Sequence, residues 1–228
     1  MKLLTYKINN FDTPQIGVLQ NQLVYGLNNC FGNISLIELI QLEKYQDQVA
    51  SFICNEDCLK HDIKDVTVLP TIPKPTSFRD AYAFRQHVAT SRKNRGVDMI
   101  PEFDEFPVFY FSNHNAMFGD GEEIELMPDH FHRLDYELEF AIVIGKAGKN
   151  ILAKDADKHI AGFCILNDIS ARRLQMEEMK LNLGPAKGKD FANVIGPYLV
   201  TPNELESKSI DTPFGKKYDL QMSCYVNG

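Results

Sequence analysis

The sequence predicts a strand-rich α+β protein in which a small N-terminal β domain precedes a larger domain. Three observations carry that expectation. Short alternating apolar and polar segments recur along the chain, helical spacing is confined to brief stretches, and one extended piece with three prolines separates the two parts. With 228 residues, 44% of them hydrophobic, the chain has enough apolar content to bury a core.

Element by element, Leu4 and Tyr6, Ile16 and Val18, and Leu23 and Tyr25 alternate between the turn-prone pairs Asn9-Asn10 and Asn28-Asn29, which predicts short strands. Ser35 to Leu42 follows with helical spacing, and a charged, poorly patterned segment runs to about Lys64. VTVLPTIPKPTSF then marks a linker, which divides the chain into residues 1–70 and 71–228. Beyond it, Asp80 to Asn94 reads as a helix closed by Gly96. Phe106 to Ser112 and Glu123 to Leu126 read as strands around a Gly119-Asp120-Gly121 turn, and Leu134 to Gly145 as a longer strand. Ala153 to His159 has helical propensity, Ile160 to Leu166 is a buried apolar run, and Asn167-Asp168 opens a further helix, SARRLQMEEMKL. The final YDLQMSCYVNG alternates as a strand and stops on Asn227-Gly228, a pair favoured in two-residue hairpin turns. That turn calls for a return strand beyond residue 228, so the larger domain is expected to be C-terminally incomplete.

Composition excludes several function classes. Acidic residues outnumber basic ones 31 to 24, the formal charge is -7, and no basic stripe suits a phosphate backbone, so nucleic acid is not an expected partner. The apolar runs are short and MKLLTYKINNF turns polar after two leucines, so neither a signal peptide nor a membrane span is expected and the predicted location is cytoplasmic. Five scattered cysteines suit reduced thiols rather than a disulfide framework.

The chemistry-bearing residues cluster in four motifs. In LDYELEF, alternation puts Asp135, Glu137 and Glu139 on one strand face, and the strand runs on into apolar Ala-Ile-Val-Ile, which suggests acids at the mouth of a buried sheet. Clustered acids there repel unless one is protonated or a cation lies among them, and oxygen-only ligation suits Mg²⁺, Ca²⁺ or Mn²⁺. A solvated face of an antiparallel strand gives the same pattern. In DAYAFRQHVATSRKNRG, helical spacing puts Asp80, Phe84, His87 and Ser91 on one stripe, so an acid and a proton acceptor face the same way; an ordinary surface helix would also fit. In NDISARRLQ, Asp168, Arg172 and Gln175 recur at helical spacing, suited either to a metal and a carbonyl substrate or to a helix cap with an ion pair. GPAKGKDF fails as a phosphate loop, because three residues separate Gly184 from Gly188 and Asp190 replaces the required Ser/Thr. Lys189 there is expected as a mobile cation able to stabilise an oxyanion, or as a solvated loop lysine. Cys54, Cys58 and His61 have loose zinc-like spacing but lack a second pair, and His130 and His132 flank Phe131 in what reads as a polar loop.

Taken in order, SFRDAYAFRQH, PVFYF, LDYELE, NDISARRLQ and GPAKGKDF resemble the successive motifs of the fumarylacetoacetate hydrolase family, over residues 73 to 228. The resemblance implies a mixed β-sandwich roll with flanking helices, usually a homodimer. It implies a divalent cation, Mg²⁺ before Ca²⁺ or Mn²⁺, on Asp80, Glu137, Glu139 and Asp168. It makes His87 the residue that activates water, and it puts Arg172, Gln175 and Lys189 around the substrate carbonyl. Tyr82 and Tyr110 would line the site, and Arg95 would bind a substrate carboxylate. The implied reaction is hydrolysis of a carbon–carbon bond in a β-diketone such as fumarylacetoacetate or an acylpyruvate.

Two departures bear on substrate: Ile169 stands where the family often has an aromatic residue, and Asn193 where fumarylacetoacetate-specific enzymes often have Thr. The family also continues past the equivalent of residue 228. Decarboxylation of a β-keto acid such as oxaloacetate, which needs enolate stabilisation but no nucleophilic water, is the alternative activity, and a catalytically inactive metal-binding fragment is the alternative from another class. His87 favours hydrolysis.

Overall fold

The structure is a computed structural model that describes every residue except residue 10, so the second half of the expected Asn9-Asn10 turn lies outside the described residues. Strands β1 (Lys2–Ile8), β2 (Gln15–Gln20) and β3 (Leu23–Gly26) form an antiparallel meander. Their alternation does what period two requires: Leu4, Tyr6 and Val24 pack on one side with Val66, while Leu3, Ile16 and Val18 enter the main core on the other. After the short α1 (Asn28–Phe31), Ser35 and Glu38 close a reciprocal capping box that starts α2 (Leu36–Gln41) where the sequence predicts it. The segment without clear pattern contains α3 (Tyr45–Ile53), which buries only Tyr45 and Val49, one residue per turn, and β4 (Lys60–Asp62), which pairs with β3.

The proline-rich piece is not a free linker. Its first residues form β5 (Val66–Val68) on β1, and Thr71 is fully buried, its carbonyl accepting from Thr5 Oγ1 at 2.9 Å and its hydroxyl donating to the Gly196 carbonyl.

The helix expected from Asp80 divides. Arg79 and Asp80 form β6 (Arg79–Asp80), Phe84 is still extended, and α4 (Arg85–Asn94) starts five residues later. The cause is tertiary: β6 pairs antiparallel with β7 (Tyr110–Phe111), which is all that forms of the strand expected from Phe106. Glu123 to Leu126 is not a strand; the pairing falls on β8 (Met117–Phe118). Strand β9 (Leu134–Ile144) is as predicted, and a one-turn Pro128–Phe131 precedes it. Ala153–His159 is helical in the 3-10 form. Strand β10 (Ile160–Ala171) runs five residues past the expected end, because its ladder with β9 continues to Ala171 opposite Leu134, so α5 (Arg172–Met179) begins later and Asp168 lies on a strand. Strands β11 (Asn193–Ile195) and β12 (Leu199–Val200) follow, then the hairpin β13 (Ser209–Thr212) and β14 (Gly215–Tyr218). Residues 219–228 form no strand, although Asn227 and Gly228 both have positive φ, 57° and 83°, as their hairpin pairing favours.

The main sheet runs β4-β3-β2-β1-β12-β10-β11-β8, with β9 on β10 and β5 on β1. Because β1 pairs with β12, and Leu3, Ile16 and Val49 share a core with Cys164, Leu166 and Leu199, residues 1–70 and 71–228 contribute to one sheet and one core.

Candidate metal and catalytic site

The β9–β10–β11 register builds the site. Glu137 lies opposite Asp168, and Asp168 opposite Asn193, so three polar residues cross the sheet in one row. One step along, Glu139 faces Leu166; further on the same face, Ala141 and Cys164 belong to the core. The acidic alternation of LDYELEF is therefore the mouth of a buried face, as the sequence suggests. On the opposite face Ile142, Ile144 and Ile165 are each more than half exposed, while Phe163 is buried against Phe140 and Tyr218.

Asp80 reaches this row from β6. One carboxylate oxygen each from Asp80, Glu139 and Asp168 come within 4.8 Å of one another. Tyr110, opposite Asp80 in the β6–β7 ladder, donates its hydroxyl to Asp80 Oδ2 at 2.5 Å and approaches Asp168 Oδ2 at 3.3 Å. Burial and then the charges of Asp80, Asp168 and Glu137 push the Glu139 carboxyl up to about 8. Burial also raises Asp168, which is 1% exposed, against the lowering influence of Lys189. Tyr110 is raised too, by burial and the Asp168 charge. Asp168 Oδ1 is buried without a partner among the described residues. Crowded carboxylates with a free buried oxygen and no nitrogen or sulfur donor fit a hard divalent cation, Mg²⁺, Ca²⁺ or Mn²⁺.

Glu137 points elsewhere. Its Oε1 pairs with Arg172 Nη2 at 2.7 Å and its Oε2 with Lys189 Nζ, which also contacts Asp168 Oδ2. Burial opposes ionisation of Glu137, yet the two cations hold its carboxyl below the usual range. Arg172 Nε donates to Asp135 Oδ2 at 2.7 Å and Nη1 to Gln175 Oε1 at 3.1 Å. Arg172 and Gln175 thus share α5, one turn apart, whereas Asp168 is not on that helix.

Lys189 is neither mobile nor solvated: it is 3% exposed. Glu178 accepts the backbone N–H of Lys187 at 3.1 Å and of Gly188 at 3.0 Å, and the Gly188 carbonyl accepts from Ala171 N at 2.9 Å. Sequence reasoning missed Glu178, whose link to the loop nine residues on has no local signature. It also missed Ser170, which approaches Glu137 Oε2 at 3.4 Å.

Three expected residues lie on the excursion 81–109 that joins Asp80 to Tyr110. His87 is exposed on α4, Tyr82 is exposed and stacked on Phe103 at 5.9 Å, and Arg95 is exposed with Nε donating to the Ser91 carbonyl at 3.2 Å. Asp80 and His87 do not share a helical stripe. An Arg85–Asp104 ion pair at 2.9 Å ties the excursion to itself. His130, expected in a polar loop, is buried, stacks on Phe191 at 4.0 Å, and accepts from Met127 N at 3.2 Å.

The family model Fumarylacetoacetate (FAA) hydrolase C-terminal matches residues 76–228. Oxaloacetate tautomerase YisK of Bacillus subtilis is 28% identical over 166 residues, 72% of this chain and 50% of that protein. A fumarylacetoacetate hydrolase from the psychrophile Exiguobacterium antarcticum superposes with a TM-score of 0.66 at 22% identity, covering 92% of this chain and 69% of that one. Maleylpyruvate hydrolase from Sphingobium in complex with manganese and pyruvate superposes with a TM-score of 0.64 at 16% identity, covering 89% and 68%. These superpositions share the mixed, strand-rich fold. The chain spans about half the length of the curated relatives it matches, 39% to 54% for the Dictyostelium discoideum and two Pyrococcus proteins.

Proposed function

The chain belongs to the fumarylacetoacetate hydrolase family, and on that premise we propose that it is a divalent-cation-dependent enzyme that hydrolyses the carbon–carbon bond beside a ketone in a small β-diketone, such as fumarylacetoacetate or an acylpyruvate. The observation that carries this reading is the convergence of Asp80, Glu139 and Asp168 from three separate segments beside the fixed ammonium of Lys189. These three acids would hold the cation, Mg²⁺ before Mn²⁺ or Ca²⁺, with Glu137 as a fourth acid now engaged by Arg172 and Lys189. When bound, the cation supplies Lewis-acid polarisation of the substrate oxygens and neutralises enolate charge.

The chain's own groups do the rest. An imidazole nitrogen of His87 takes a proton from water as the water oxygen bonds to the ketone carbon. Excursion 81–109 is anchored at both ends, Asp80 and Tyr110, beside the acids, which supports its delivering His87 to them. Lys189 Nζ, the Arg172 guanidinium and the Gln175 amide stabilise the resulting oxyanion. The carbon–carbon bond then breaks, its electron pair leaves as an enolate, and a proton returns to that carbon. Tyr82 and Tyr110 would line the substrate, and Arg95 would meet its carboxylate. The exposed Ile142, Ile144 and Ile165 face supports the homodimer as part of the same reading, to be checked by sedimentation.

A second reading, an enolate-forming reaction on a keto acid such as oxaloacetate, is favoured by the likeness to the Bacillus tautomerase and by the exposure of His87. Diketone ultraviolet absorbance, followed with Mg²⁺ and with chelator, separates the two. Metal-dependent loss for wild type that vanishes in His87→Ala, with Mn²⁺ affinity unchanged, supports hydrolysis. Turnover of oxaloacetate alone moves the chain to the second reading, and bound metal without turnover of either makes it the inactive metal-binding fragment.

A further inference from the structure

Asn193 is fully buried, and neither its Oδ1 nor its Nδ2 has a partner among the described residues. A buried carboxamide with both ends unpaired is unfavourable enough that it demands an explanation. Its location supplies one. Asn193 is the direct cross-strand neighbour of Asp168, and such pairs hold their Cβ atoms about 4.5–5.5 Å apart on one face. Asp168 has its own buried unpaired atom, Oδ1, while its Oδ2 is taken by Lys189 and approached by Tyr110. Three unpaired polar atoms thus sit on two adjacent side chains of the same row.

Their chemistry is complementary: Nδ2 offers two protons and Oδ1 of Asp168 accepts. The strand fixes Asn193 as firmly as Asp168, since its backbone N–H donates to the Ala116 carbonyl at 2.9 Å and its Cα also pairs with Met117 of β8.

We propose that Asn193 is a positioning residue for the cation: when the cation binds, the Asn193 Nδ2 donates to Asp168 Oδ1 through one water or after a small turn of the carboxamide, and so aims the Asp168 carboxylate at the cation. Carboxylate ligands are routinely oriented by such an outer hydrogen bond, and losing it weakens metal binding by about 10- to 100-fold. The proposal rests on the divalent-cation reading of the Asp80, Glu139 and Asp168 cluster.

The test compares Asn193→Thr with Asn193→Val, which match in shape and differ by one hydroxyl. Mn²⁺ is titrated into wild type and both variants, free ion is read by its electron paramagnetic resonance signal, and each protein is melted in chelator. The expected result is wild-type binding, affinity about tenfold or more weaker in Asn193→Val, affinity in Asn193→Thr within about threefold of wild type, and a metal-free melt no lower for Val than for Thr. Equal affinity in all three proteins overturns the proposal and leaves the cation reading standing. Equal weakening in both variants with lowered melts marks a packing role and also overturns it. A wild type that binds no Mn²⁺ overturns the cation reading itself, and this proposal with it.

Discussion

Asp80 and Tyr110 face each other across the two-residue ladder of β6 and β7, and the tyrosine hydroxyl donates to Asp80 Oδ2 at 2.5 Å. This contact fixes the one acid of the triad that does not come from the β9–β10 pair. Tyr110→Phe keeps the ring and removes the donor, so Asp80 is freed and its repulsion with Asp168 and Glu139 is no longer moderated. Mn²⁺ affinity measured by calorimetry is expected to fall about tenfold. Unchanged affinity would mean that the ladder alone positions Asp80.

Lys189 offsets two acids from a buried position, and burial by itself would disfavour its charge; Asp168 and Glu137 nonetheless keep its pKa above the ordinary lysine range. Lys189→Met leaves the stem, takes the cation away from buried Asp168 and leaves Glu137 to Arg172 alone. Removing one partner of a buried pair costs about 3 to 5 kcal/mol, read as a lower urea midpoint with unchanged slope. Turnover should be lost as well. A variant as stable as wild type would show that the carboxylates take up protons without penalty.

The candidate site was half legible in the sequence, for physical reasons. Strand alternation is local, so Asp135, Glu137 and Glu139 could be placed on one face, and the structure keeps them there. Asp80 and Asp168 also stand out in the sequence, but their spacing predicts helices. In both places helical propensity lost to ladder pairing: β6 with β7, and β10 extended by its long match to β9. No periodicity within a segment reports such pairing. Lys189 reads as a loop residue because Gly184 and Gly188 suggest freedom, whereas its burial depends on Glu178, Glu137 and Asp168, none of them in that motif. The outward face of β9 shows the opposite limit: Ile142 and Ile144 read as buried by composition and are exposed.

Gly188 gives a test of that loop. A Cβ there would meet Gln175 N at 2.6 Å and Gln175 Cα at 2.7 Å, backbone atoms that cannot swing aside. Gly188→Ala must push the loop away from α5, carrying Lys189 from Asp168 and straining the Glu178 contacts. The expected loss is about 1 to 3 kcal/mol in stability, with a larger proportional fall in turnover. An alanine variant with wild-type activity would show that Lys189 can move without consequence.

The triad also fixes a pH dependence. Glu139 has a folded value of about 8, well above the ordinary carboxylate range. The native state therefore binds more protons than the unfolded one between about pH 4.5 and 8, and metal-free stability must fall as pH rises through that window. Cation binding runs the other way, because an ionised ligand is required and the proton must leave. Burial and the neighbouring carboxylates raise both Glu139 and Asp168, so Mn²⁺ affinity should rise from pH 6 to pH 8, with proton release detectable by calorimetry in buffers of different ionisation enthalpy. Melts with Mn²⁺ and with chelator should diverge at pH 8 and converge near pH 5.5. Metal-free stability that stays flat, with equal affinity at both pH values, would mean that Glu139 is ionised throughout and that Lys189 already neutralises the cluster.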